Sequence, residues 1–111
     1  MALYFKTSDP KRLLFEIDKA IKDGRIVTWS QDADGDFTHI PEQWRNKAWL
    51  RPIVVPGMLK LVIIRPSNVA ISSEVYAVFH GRFIESMLFH CDKFFETGEA
   101  TALATNEDRV I

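Results

Sequence analysis

The hydrophobic pattern of the chain is strongest between residues 72 and 95. Apolar side chains recur there at the three-and-four spacing of one helix face, at Phe83, Ile84, Met87, Leu88, Cys91, Phe94 and Phe95. Ser72 or Ser73 suits the N-cap position, so the pattern predicts one long helix. The alternative is a strand over residues 75–79, which are β-branched and aromatic, followed by a shorter helix. We favour the long helix.

A second helix is predicted over residues 10–23, near the start of the chain. Ser8 or Asp9 can cap it, Pro10 suits its first turn, and Gly24 is placed to end it. Its apolar stripe consists of Leu13, Leu14, Ile17, Ala20 and Ile21. Phe15 falls off this stripe.

Strand-like segments lie between the two helices. Residues 25–31 and 37–40 predict a hairpin with Asp34-Gly35 at its tip. Residues 48–55 and 58–65 predict two strands joined at Pro56-Gly57. The last two contain runs of consecutive apolar residues, which predict strands that are covered on both faces or lie at the centre of the sheet. Residues 3–6 suit a short edge strand.

These elements predict an α+β fold. We expect a single antiparallel sheet of about four strands, with an N-terminal helix and a long C-terminal helix packed on one face. The 111 residues fit a single domain over residues 1–111, in which residues 99–111 are predicted to be a flexible tail. We find no repeat and no match to a known family motif over a useful length.

Composition narrows the class of protein. A formal net charge of −1 gives no overall electrostatic reason to expect nucleic acid or an anionic membrane as a partner. Cys91 is the single cysteine and lies on the apolar stripe, which indicates a buried thiol in a reducing compartment. No stretch is long and apolar enough to span a membrane. We therefore predict a cytoplasmic protein without a membrane partner.

Acidic residues crowd the predicted hairpin turn at Asp32, Asp34 and Asp36, with His39 close behind. These are ligand types for calcium or magnesium, but the positions of Gly35 and Gln43 do not match an EF-hand loop. Aspartate and glycine are also the residues that tight turns favour. We predict no metal here and no cofactor elsewhere.

Acid-base or anion chemistry has four candidate residues on or beside the last helix, namely His80, Arg82, Glu85 and His90. On a continuous helix their side chains do not converge, and a buried His80 with a backbone partner is the simpler interpretation. Zinc needs more ligands than His90-Cys91 provides. Because the local motifs of common hydrolases, NTPases and metalloproteases are also missing, we predict no catalytic residue.

A basic and aromatic segment runs from residue 44 to residue 51 and contains no acid. Its candidate nucleic-acid-binding residues are Trp44, Arg45, Lys47, Trp49 and Arg51. Bases stack on aromatic rings while cations follow phosphates, so this composition suits a single-stranded nucleic acid. The alternative is that Trp49 belongs to the core and the cations are simply solvated.

Two phenylalanines interrupt the polar faces of the predicted helices, Phe15 and Phe89. Large rings at such positions predict an interface, and a two-fold homodimer is the commonest way to cover them. The alternative is a tail that folds back over one ring.

Gly81, inside the long helix, is predicted to serve packing or a change of element, because glycine destabilises a helix by about 1 kcal/mol relative to alanine.

We therefore predict a small cytoplasmic binding or regulatory module that acts through a protein–protein interface without catalysis. The sequence does not identify its protein partner or its biological process. A nucleic-acid-binding protein using residues 44–51 is the first alternative. A small enzyme using His80 and Arg82 is the second.

Overall fold

A computed structural model describes residues 2–67 and 69–103, and the backbone of residues 109–110. The strands are β1 (Ala2–Lys6), β2 (Trp29–Gln31), β3 (Phe37–His39), β4 (Trp49–Val55), β5 (Met58–Arg65), β6 (Thr97–Ala100) and β7 (Arg109–Val110). The α-helices are α1 (Pro10–Lys22) and α2 (Ser73–Cys91). Single 3-10 turns occur at Glu42–Trp44 and Asp92–Phe94.

The main sheet has the strand order β2-β3-β4-β5-β1-β6, and all of these neighbours are antiparallel. The short β7 pairs in parallel with the end of β5. The α+β class is confirmed, but about four strands is wrong, because six strands form the antiparallel sheet. The two additional strands are β1 and β6, and β1 lies between β5 and β6 rather than at an edge.

Strand β6 replaces the start of the predicted flexible tail. Its four residues are all exposed, so it has no apolar pattern from which it could be recognised. Main-chain bonds fix its ends: Glu96 N donates to Lys6 O at 2.8 Å, and Thr101 N donates to Ala2 O at 2.9 Å. Gly98 lies opposite Phe5, and a Cβ at this position would be 2.8 Å from the Phe5 ring. The rest of the predicted tail, beyond residue 103, lies outside the described residues except for the backbone of β7.

Helix α1 forms as predicted. The Asp9 side chain accepts a hydrogen bond from Arg12 N at 3.1 Å, and Pro10 occupies the first turn. Leu13, Ile17 and Ala20 are buried. Phe15 points away from them and is 57% exposed.

Helix α2 is continuous, which confirms the long-helix prediction and shows the strand alternative to be wrong. The Ser72 hydroxyl caps it by accepting a hydrogen bond from Val75 N at 3.2 Å. The predicted helix face needs two corrections, because Leu88 is 54% exposed and α2 ends at Cys91, before Phe94 and Phe95. The fully buried apolar side chains follow a strict spacing of four, at Phe79, Phe83, Met87 and Cys91.

Both helices cover the same face of the sheet. Leu59, Leu61 and Ile63 of β5 join one hydrophobic cluster with side chains of α1 and α2. The Phe83 ring is central to it, with centroids 5.1 Å from the Trp29 ring and 5.4 Å from the Phe37 ring. No helix in the described part of the chain is long and apolar enough to cross a membrane.

Strands β4 and β5 differ in burial. In β5 the run from Leu61 to Ile64 is buried throughout, as predicted for a strand covered on both faces. Strand β4 lies at the centre of the sheet, which agrees with the second alternative, but Val54 is 38% exposed and its neighbours Ile53 and Val55 are half-buried. The reason is position: the end of β4 that bears these residues extends past β3, which pairs with β4 only near Leu50.

Candidate functional site

A histidine and an arginine from distant parts of the chain meet where β3 faces the middle of α2. Arg82 Nη1 donates to His39 Nε2 at 3.0 Å. Because a guanidinium can only donate, Nε2 is the acceptor, and a neutral His39 ring carries its proton on Nδ1. His39 is buried at the end of β3, whereas Arg82 lies on the exposed side of α2.

The His39 ring is held by aromatic neighbours. Its centroid lies 4.7 Å from the Trp29 ring and 5.9 Å from the Phe79 ring. Burial is the main cause that lowers the His39 pKa, and the positive charge of Arg82 lowers it further. The backbone of Thr28 and the charge of Glu85 act in the opposite direction. His39 is therefore neutral at neutral pH and serves as an acceptor for Arg82.

The Arg82 guanidinium is oriented without an acidic partner. Its central carbon lies 5.7 Å from the centroid of the Trp44 ring, a cation-π contact. Within residues 2–67 and 69–103, no carboxylate oxygen lies within 4.0 Å of its nitrogens. Its charge is thus positioned by a neutral ring and an aromatic face, neither of which neutralises it.

A cavity of about 350 Å³ opens beside this pair. Its lining consists of Thr28, Trp29, His39, Pro41, Arg82, Glu85 and Ser86. One lining residue carries a buried ring nitrogen, Trp29 Nε1, for which the described part of the chain supplies no partner in hydrogen-bond geometry. The second ring nitrogen of His39, Nδ1, is turned to the backbone of Thr28, whose hydrogen bond raises the His39 pKa. The cavity therefore combines one cationic group with one buried N–H donor that lacks a partner.

The structure divides the four residues predicted for acid-base or anion chemistry. Arg82 and Glu85 line the cavity with His39, whereas His80 and His90 do not. His80 lies on another side of α2, where its Nδ1 donates to Tyr76 O at 2.8 Å. The ring of His90 packs against Phe89, with centroids 4.7 Å apart. The pairing predicted for an enzyme, His80 with Arg82, is therefore not formed.

His39 is the residue of this site that sequence reasoning missed. The sequence presents His39 only as a candidate metal ligand beside the aspartates, because it follows them closely along the chain. Its actual partner, Arg82, is 43 residues away. The available signal was the alternation in β3, which places His39 on the same face as Phe37 and therefore towards α2.

The basic and aromatic segment is divided between opposite sides of the sheet. Trp44 is buried beneath Arg82, while Arg45 and Lys47 are exposed. Leu50 enters the core, so its neighbours Trp49 and Arg51 point to the face that lacks helices. These residues do not form the continuous surface that a nucleic-acid platform requires.

The three aspartates of the hairpin turn have structural roles. Their carboxylate oxygens lie within 4.8 Å of one another. Asp32 Oδ1 accepts from the backbone N of both Asp34 and Asp36 at 3.0 Å. Asp36 forms a bidentate ion pair with Arg51. Two of the three carboxylates thus already have partners within the chain.

Cys91 is a buried thiol at the end of α2. Burial is the main cause that raises its pKa to about 11, with a smaller contribution from Glu16. The thiol is therefore protonated at neutral pH, which makes it a poor nucleophile.

Phe15 and Phe89 are both exposed, at 57% and 79%. They lie on the outward sides of α1 and α2. Leu103, which belongs to the tail that could have covered a ring, is itself 78% exposed. Val110 and Ile111, the other apolar residues of that tail, have no described side chains.

Comparisons with protein families, with curated proteins and with solved structures find no match to this chain.

Proposed function

We propose that this protein is a binding module that acts through a protein–protein interface on the outward surface of its two helices, and that its first partner is a second copy of itself. The observation that carries the proposal is the charge of the two helices. Side by side on one sheet face, α1 presents a basic outward surface and α2 an acidic one, and each is centred near an exposed phenylalanine.

Exposed apolar area supplies the driving force. Phe89 and Leu88 on α2 are 79% and 54% exposed, and they border a shallow, mainly apolar groove of about 500 Å³ that also includes Gly81 and Ile84. Phe15 adds a third large exposed side chain on α1. Covering one such side chain contributes about 1.5–3 kcal/mol, so a contact that covers all three has a substantial apolar term.

The charges make the surface complementary to itself. The outward side of α1 carries Lys11, Lys19 and Lys22, and the outward side of α2 carries Glu74 and Glu85, with Asp92 in the 3-10 turn that follows, all of them exposed. Arg82 is also exposed on α2 and reduces its negative charge without reversing it. In a two-fold dimer, a contact between α1 of one copy and α2 of the other occurs twice. Each basic helix then meets an acidic one, which favours this pairing over α1 with α1 or α2 with α2.

Gly81 fits the same interface. A Cβ built on Gly81 meets no atom within 4 Å among the described residues, so packing inside the chain does not require glycine there. The helix also runs straight through it, so the predicted change of element is wrong. Close approach by a partner helix is the role that agrees with a glycine in an exposed helix interior.

The test is a charge exchange followed by sedimentation velocity. One variant combines Lys11→Glu with Lys19→Glu, and the other combines Glu85→Lys with Asp92→Lys. Each variant alone should be monomeric at concentrations where the wild type is dimeric, since like charges then face each other. A mixture of the two should form a heterodimer, because both contacts regain opposite charges.

Controls keep the result specific. Phe89→Ser should weaken the dimer, whereas Val27→Ser, at an equally exposed side chain on the connection before β2, should not. A wild type that remains monomeric at high micromolar concentration would defeat the homodimer. Variants that fail to associate when mixed would defeat the proposed pairing of α1 with α2.

The cytoplasmic location is part of this proposal and is supported by the unpaired, buried thiol of Cys91.

A further inference from the structure

We propose that the cavity beside His39 and Arg82 is a binding site for a small oxyanion, with a monovalent carboxylate as its ligand. This site shares Glu85 with the proposed helix-surface interface, but binding at it does not require a dimer. Three features carry the inference: a guanidinium without an acidic partner among the described residues, a buried N–H donor of Trp29 in the same lining, and an acidic residue that limits the charge of the ligand.

The guanidinium is already oriented for an anion. Arg82 donates to His39 Nε2 at 3.0 Å and stacks over Trp44, so two contacts fix its direction. Neither partner is anionic, and its five N–H donors exceed the needs of the single His39 bond. An arriving carboxylate would therefore gain a charge-assisted hydrogen bond without displacing an internal ion pair. Arg51 illustrates the opposite case, because Asp36 already occupies its guanidinium.

The cavity lining also contains a donor that needs an acceptor. Trp29 is 2% exposed, and its Nε1 has no partner in hydrogen-bond geometry within the described residues. Indole nitrogen is only a donor. Buried donors are rarely left without an acceptor. A bound carboxylate has the lone pairs to supply one.

The other lining residues set the size and charge of the ligand. About 350 Å³ accommodates a small organic acid. Glu85 is exposed and contributes a negative charge to the same lining. It opposes a divalent phosphate more than a monovalent carboxylate. Ser86 and the Thr28 segment offer additional polar groups.

The experiment is an NMR titration of the full chain with sodium acetate and, separately, with inorganic phosphate, at constant ionic strength. The indole N–H of Trp29 and the ring protons of His39 report on the cavity. We expect saturable shifts of both with acetate and weaker binding of phosphate. Shifts that never saturate, or that are absent with both anions, would overturn the site. Tighter binding of phosphate would overturn the choice of a carboxylate.

Substitutions in the lining test whether acetate binds in this cavity. Arg82→Gln should abolish the saturable shifts, Arg82→Lys should weaken binding several-fold, and Glu85→Gln should strengthen it. Arg45→Gln is the matched control, because Arg45 is an exposed arginine away from the cavity lining. If Arg82→Gln has an unchanged circular dichroism spectrum and still binds acetate as the wild type does, the proposal is wrong.

Failure here is distinguishable from failure of the proposed interface. Phe89→Ser should weaken the dimer and leave acetate binding unchanged, since Phe89 does not line this cavity.

Discussion

Arg51 on β4 joins Asp36 at the turn of the β2–β3 hairpin through two hydrogen bonds, Nε to Oδ1 at 2.9 Å and Nη2 to Oδ2 at 2.8 Å. The Asp36 side chain is only 5% exposed, whereas that of Arg51 is 37% exposed. Hydrogen bonding to Asp36 is the main cause that raises the Arg51 pKa above its usual range. The pair therefore fixes the hairpin to the centre of the sheet while remaining partly accessible to water.

Loss of Arg51 should destabilise the fold because it leaves a buried carboxylate without its main partner. We expect Arg51→Met to reduce the free energy of unfolding by about 1–2 kcal/mol, after allowing for the partial exposure of the arginine. The measurement is urea denaturation, with Arg45→Met as a control at an exposed arginine. Adding Asp36→Asn to Arg51→Met should recover part of the loss. If the two substitutions are additive, the pair contributes no coupling energy.

Gly81→Ala should separate chain stability from assembly. Alanine is the better helix former and has open space at this position, so the free energy of unfolding of the monomer should rise by about 0.5–1 kcal/mol. The added methyl group should weaken self-association at the same time. Thermal unfolding at low concentration and sedimentation at high concentration measure the two effects. An alanine variant that gains stability and dimerises as well as the wild type would remove Gly81 from the interface.

Acid should destabilise the protein through His39. Its pKa is lowered in the folded state from an unfolded value of 6.5, so the unfolded chain takes up this proton first as the pH falls. The stabilising contribution is therefore complete above about pH 7 and declines through 6.5 towards the folded pKa. We expect His39→Gln to flatten the dependence of unfolding free energy on pH between about pH 7 and 5.

Asp18 provides the control of opposite sign for the pH experiment. Burial is the main cause that raises its pKa above 3.8, so its native form takes up a proton before the unfolded chain does. Its contribution to stability is therefore present at low pH and lost as the pH rises. Asp18→Asn should alter the acidic end of the profile and leave the change near pH 6.5 intact. A profile unchanged by His39→Gln would contradict the buried neutral histidine.

Cys91 should react slowly in the native protein. Its thiol is 1% exposed and has a pKa of about 11, so both access and thiolate formation are limited. We expect the rate with a thiol reagent at neutral pH to be at least about a hundredfold lower than in urea. A native rate close to the unfolded rate would place this end of α2 in frequent local opening.

The sequence predicts those parts of the fold that local patterns determine. The N-caps of both helices and the turn at Gly57 depend on residues next to one another, and the sequence predicts them. The end of α2 at Cys91 is not predicted, because the apolar spacing continues to Phe95. Strand β6 could not be predicted from the sequence, because its exposed residues have no periodic pattern. Main-chain hydrogen bonds to β1 hold it in place.

The candidate cavity was predicted only in part for the same reason. Arg82 and Glu85 are both candidates from the sequence, but the helix spacing does not predict that they line one cavity. His39 reaches Arg82 only because the hairpin and α2 pack on the same core, a contact that no local pattern contains. Phe15 and Phe89 could be identified from local sequence, because each is a large apolar residue on the polar face of its own helix.

The position of β1 affects how the protein folds during synthesis. Leu3 pairs with Leu61 on one side and with Ala100 on the other, so β1 acquires its second neighbour only after residues 97–100 have been made. Until residues 97–100 leave the ribosome, one side of β1 exposes main-chain groups that can pair with any other strand. We therefore expect a chain that stalls on the ribosome before residue 97 to be prone to aggregate.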